Sequence, residues 1–114
     1  MLATAARLGA SALLIRPAAA ADERVIPVLA KKFVFVPDEI HVTQGETVVL
    51  ELTAPDVLMG FSAPDFGVRT DIVPGTVTRV RLTPTKAGKF LFACDVFCGS
   101  GHEDMDGVIV VAPA

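Results

Sequence analysis

Residues 46–53, ETVVLELT, alternate along the chain, with Val48, Leu50 and Leu52 on one face and Val49 and Glu51 on the other. A period of two belongs to a half-buried strand, because successive side chains leave the backbone on opposite sides. The pattern returns at residues 76–82, where Val77, Arg79 and Arg81 alternate with Thr78, Val80 and Leu82. That spacing predicts one wet and one dry face. Within residues 24–36, Phe33 and Phe35 share a face and Val34 and Val36 share the other. Pro37-Asp38, Gln44-Gly45, Pro55-Asp56, Pro74-Gly75 and residues 84–88 punctuate these runs, at spacings of about 8 to 12 residues that suit an all-β sandwich. No stretch sustains a helical period. Residues 40–53 are expected to fold as a half-buried hairpin about Gln44 and Gly45, and Pro74-Gly75 as a type II turn.

At 114 residues the chain is expected to hold one domain. Residues 1–21 carry basic Arg7, an apolar core at 8–15 and the run Ala18 to Ala21 before Asp22. This is the layout of a cleaved signal peptide, with the domain proper at residues 22–114. The apolar core, ended by Arg16 and Pro17, is too short to span a bilayer as a helix. The expectation is therefore a soluble protein, periplasmic or otherwise exported, without a membrane span. Without Arg7 and Arg16, eight basic residues face thirteen acidic ones, a net charge of −5. Such a balance disfavours nucleic-acid binding.

Chemistry is concentrated in residues 94–105, CDVFCGSGHEDM, which gather Cys94, Cys98, His102 and Met105 within a dozen positions. Thiolate and thioether sulfur favour copper(I) and imidazole serves copper in either oxidation state, so the mixed set points to copper. An exported cysteine pair is also a disulfide candidate, and Cys94 and Cys98 could close a small loop. His102 and Met105 would have no part in such a bridge. Zinc could take two thiolates and an imidazole, but would leave the thioethers idle. Gly99 and Gly101 let the backbone wrap closely before His102. His41, between Ile40 and Val42, is expected to face solvent. Hydrolase chemistry lacks a second histidine at hand and no phosphate-binding glycine loop is present.

The spacing of these four residues resembles the binuclear CuA motif of the cupredoxin domain of cytochrome c oxidase subunit II and nitrous oxide reductase. The likeness extends upstream through residues 54–75 and 87–94 to about Phe33. It implies a Greek-key β-sandwich in which Cys94 and Cys98 bridge two copper ions. His102 and the backbone carbonyl of Val96 would complete one ion, with Met59 and Met105 at the other. Met59 stands where the family carries its first histidine, and a second reading makes it a core methionine. Two thiolates and two thioethers without nitrogen favour the monovalent metal, so the number of copper ions, one or two, stays open.

The resemblance implies a non-enzymatic carrier in one-electron transfer, with a cytochrome c or another redox protein as partner. The alternative is a metallochaperone that captures or delivers copper(I) for assembly of a copper enzyme. Asp95, Glu103, Asp104 and Asp106 are expected as a solvated rim of the ligand loop, able to steer a basic partner. Pro64, Phe66 and Gly67 are expected to shape a loop beside the site.

Overall fold

The computed structural model describes residues 23–96 and 104–114, so the leader, Cys98, His102 and Glu103 lie outside the described residues. Among the described residues nine strands alternate with tight turns: β1 (Arg24–Lys31), β2 (Val34–Val36), β3 (Glu39–Thr43), β4 (Val48–Thr53), β5 (Met59–Ala63), β6 (Val68–Ile72), β7 (Thr78–Leu82), β8 (Gly88–Ala93) and β9 (Asp106–Ala112). A 3-10 turn, Pro64–Phe66, joins β5 to β6. The strands form two layers, ordered β2-β1-β4-β7 and β3-β9-β8-β5-β6. The all-β sandwich read from the alternation is thus the observed fold.

Burial follows the alternation in β4 and β7. In β4, Val48, Leu50 and Leu52 are fully buried and the intervening residues half-buried. In β7, Val80 and Leu82 point inward while Arg79 and Arg81 are exposed. His41 is exposed, as expected, with Nε2 at 3.0 Å from Glu39 Oε1. The Pro74-Gly75 turn closes through Thr76 N–H donating to the Val73 carbonyl at 3.2 Å, with Gly75 at φ 86°. A positive φ at the third residue is what a type II turn demands.

The expected hairpin of residues 40–53 is not formed. β3 pairs with β9 in parallel, whereas β4 pairs with β1 in parallel and with β7 antiparallel. The Gln44-Gly45 turn therefore carries the chain from one layer to the other. Gln44 N–H donates to Ala112 O and Gly45 N–H to Pro84 O, both at 2.8 Å, and Gly45 takes φ 84°. Two half-buried strands satisfy their apolar faces equally well across a sandwich or within one sheet, so alternation alone does not choose between them.

Glu46 ties this crossing together. Its carboxylate accepts from Arg24 Nε at 3.0 Å and from the Thr43 amide at 2.9 Å, while Arg24 also donates to the His41 carbonyl at 2.9 Å. β1 in one sheet is so joined to β3 in the other. The Arg24 hydrogen bond, then that of Thr43, holds the Glu46 carboxyl below its ordinary value of 4.5. A carboxylate with a lowered folded pKa contributes stability above its unfolded pKa and loses it as pH falls through the folded value. Glu46→Gln should cost about 1 kcal/mol near neutrality. In thermal melts from pH 7 to pH 3, the difference between parent and variant should shrink below about pH 4.5.

The core lies between the layers. Phe35 of β2, Phe61 of β5 and Phe92 of β8 meet there, with ring centroids 5.0 Å apart for Phe35–Phe92, 5.2 Å for Phe61–Phe92 and 6.1 Å for Phe35–Phe61. One ring comes from the first sheet and two from the second. At one end of this aromatic cluster the sulfur-bearing residues begin.

Candidate metal centre

β8 ends at Ala93, which pairs with Asp106 of β9 and Ser62 of β5. One step further, the Cys94 amide donates to the Met105 carbonyl at 3.0 Å. Cys94 and Met105 are thereby neighbours across adjacent strands. Because side chains opposite one another share a face, Cys94 and Met105 point into the sandwich on the same side as Phe92. Met59 opens β5 two residues before Phe61 and shares that inward face. All three belong to one buried cluster, with Met59 at 0%, Met105 at 1% and Cys94 at 6% exposure.

The backbone turns inward after Cys94. Its thiol donates to the Val96 carbonyl, with Sγ 3.3 Å from the oxygen. Cys94, Val96, Met59 and Met105, four of the six residues singled out in the sequence, thus meet at one end of the five-stranded sheet. Cys98 and His102 belong to the segment outside the described residues. Among the described residues no cluster of three His, Cys, Asp or Glu side chains forms. The donors that do converge are a thiol and two thioethers, soft groups that fit copper better than a hard cation, with the Val96 carbonyl beside them.

The outer face of the same sheet carries a charged row that the sequence reading missed. Arg69 of β6 donates through Nε and Nη2 to the two oxygens of Asp95, at 2.7 and 2.8 Å, and through Nη1 to Asp71 at 2.5 Å. The Asp95 hydrogen bond first, then that of Asp71, raises the guanidinium pKa further. Asp95 was expected only as part of a solvated rim. Its partner lies 26 residues away, and nothing local in the sequence signals the pair. Asp104 and Asp106 are exposed, as that rim requires.

Gly60 makes the row possible. It pairs with Asp71 across β5 and β6. A Cβ on Gly60 would run into the Asp95 carboxylate and stand 2.9 Å from Val96 Cγ2 and 3.0 Å from Arg69 Nη2. Only a residue without a side chain leaves this room.

The turn at Pro64–Phe66 is a correction. The Phe66 ring packs edge-on against Phe90 at 5.4 Å, near the start of β8. Cys94 follows the other end of that strand, so the turn braces the sandwich away from the sulfur cluster. β5 and β8 run antiparallel, and the end of one therefore faces the beginning of the other.

The two-layer β-sandwich is matched by comparison with known proteins. Residues 4–111 match the model of the cupredoxin-like domain. The chain belongs to that family. This cupredoxin is homologous to cytochrome c oxidase subunit 2: it is 37% identical over 90 residues to that protein of Thermus thermophilus, covering 79% of this chain and 67% of the relative. It is 34% identical over 73 residues to the alternative cytochrome c oxidase subunit 2 of Bradyrhizobium diazoefficiens, covering 64% of this chain and 26% of the relative. The cupredoxin thus spans between about a quarter and two thirds of these relatives. In fold it is similar to the periplasmic domain of subunit II of cytochrome oxidase from Bradyrhizobium japonicum, with a TM-score of 0.73 at 22% identity over 79% of this chain and 84% of that one. Among the described residues no helix is long and apolar enough to cross a membrane.

Proposed function

We propose that this cupredoxin is an exported copper-binding protein of the CuA type that carries single electrons. The observation that supports it is the meeting of Cys94, Met105 and Met59 on one buried face, with the Val96 carbonyl 3.3 Å from the Cys94 sulfur. In this reading Cys94, Cys98, His102 and Met105 hold copper, and Met59 and the Val96 carbonyl are further donors. Bound copper would supply the one-electron couple. The chain's own part is to present the donors from strand ends anchored in a packed core. Donors so anchored shift little when the metal changes charge, which keeps reorganisation small. The alanine-bounded leader supports export, and residues 22–114 are then the working domain. A cytochrome c or similar redox protein is the partner class that the relatives suggest.

Met59 favours a second reading, copper(I) capture or delivery. It is fully buried on the same face as Cys94, and a thioether there weights the shell toward the monovalent ion. Copper titration of the reduced protein, followed by metal analysis and EPR after oxidation, separates the two. A carrier should keep copper on oxidation and show strong thiolate-to-copper absorption with a copper(II) EPR signal. A handling protein should bind copper(I) tightly and expel or bleach copper(II). Absence of any copper uptake would sink both and leave a disulfide-bearing domain.

A further inference from the structure

The sulfur cluster lies on the inner face of the five-stranded sheet, and the Arg69 row lies on its outer face directly behind. Three adjacent strands build that row. Asp71 of β6 pairs with Gly60 of β5. The register of β5 and β8, set by Ser62 against Ala93, brings Asp95 to the other flank of Gly60. The Arg69 guanidinium bridges from β6 to the residue that follows Cys94, with carboxylates on both sides and no β-carbon beneath it.

A two-pronged guanidinium–carboxylate contact restricts the orientation of the acid as well as its distance. Asp95 is the middle residue of Cys94, Asp95 and Val96, so holding its side chain from outside limits rotation of the peptides on either side. Within that short segment the Cys94 thiol is directed at the Val96 carbonyl. An exposed acid on a loop rim needs no such partner for solubility. The absent side chain at Gly60 is likewise unneeded by a strand of its kind, since glycine weakens strand interiors and marks close approach of another group.

We propose that Arg69 is a positioning residue that clamps Asp95 across Gly60 and thereby holds the Cys94–Val96 segment ready for copper. The copper half of this statement rests on the function proposed above. The clamp itself is a property of the metal-free chain, and the two are tested separately.

The experiment compares the full-length protein with Arg69→Gln, Asp95→Asn, the double variant, Arg69→Lys and Arg79→Gln. Arg79 makes a comparable exposed ion pair with Glu51, Nε to Oε2 at 3.0 Å, on the opposite sheet. The first readout is amide exchange at Cys94 by NMR in the reduced, metal-free protein, since that amide bonds to the Met105 carbonyl. The second is the rate of copper(I) transfer to a chelator from the loaded protein. Arg69→Gln and Asp95→Asn should each speed both about fivefold, the scale of a well-formed exposed pair. The double variant should be no faster than the faster single one, because the Arg69–Asp95 contact is already lost in each. Arg69→Lys should recover part of the effect, and Arg79→Gln should match the parent. Parent-like exchange at Cys94 in Arg69→Gln would overturn the clamp, as would multiplying effects in the double variant or a uniform rise at all core amides. A parent that takes up no copper would instead remove the function proposed above, with Cys94 exchange still deciding the clamp.

Discussion

Cys94→Ser should lose copper binding while keeping the fold. The substitution replaces sulfur by oxygen with little change of shape, and the serine hydroxyl can donate to the Val96 carbonyl as the thiol does. A buried polar group with a partner costs little, so thermal unfolding should shift by no more than about 1 kcal/mol. Metal binding responds quite differently. A neutral hydroxyl is a poor ligand for copper(I), whereas the thiolate supplies both charge and softness. Partners that merely orient a ligand typically account for a 10- to 100-fold change in affinity, so loss of a ligand itself should exceed about a hundredfold. Competition with a copper(I) chelator measures this directly. A serine variant with the parent's affinity would remove Cys94 from the centre.

Phe92→Ala should be the most destabilising substitution in the core. Phe92 is fully buried and contacts Phe35 from the opposite sheet and Phe61 from its own. Its ring also occupies the space in front of Gly107, the residue paired with it on β9, where a Cβ would run into the ring and stand 2.5 Å from the Asp38 carbonyl. The site is therefore boxed by two rings and two backbone segments and has little means of collapse. A phenylalanine lost from such a place costs about 3–5 kcal/mol, against a total of about 5–15 kcal/mol for a domain. The melting temperature should fall by more than about 10 °C. Phe92→Leu should recover much of the loss, since it returns most of the apolar volume. Thermal or urea unfolding of the two variants tests the difference. Phe92 also lies two residues before Cys94 on the same inward face, so copper-loaded Phe92→Ala should release metal faster than the parent.

Much of this protein was legible from residue pattern, and the reason is local. Alternation in residues 46–53 and 76–82 reports which side chains avoid water, and those are the ones buried in β4 and β7. The exposed position of His41 followed from its apolar neighbours. The failures share a cause as well. The supposed hairpin of residues 40–53 and the loop at Pro64–Phe66 both concerned which distant segment a run would meet, and the pattern of one strand carries no address for its partner.

From the chain alone came the two-faced strands, the turn positions and a soft donor set confined to residues 94–105 with Met59 upstream, because each depends on the chemistry of near neighbours. Only the tertiary structure decided that β1 lies beside β4 and β3 beside β9, that Met59 shares a buried face with Cys94 and Met105, and that Arg69 reaches Asp95 over Gly60. Those contacts join residues far apart along the backbone. They exist because two sheets must bury their apolar faces against each other, and that requirement acts on the folded chain as a whole.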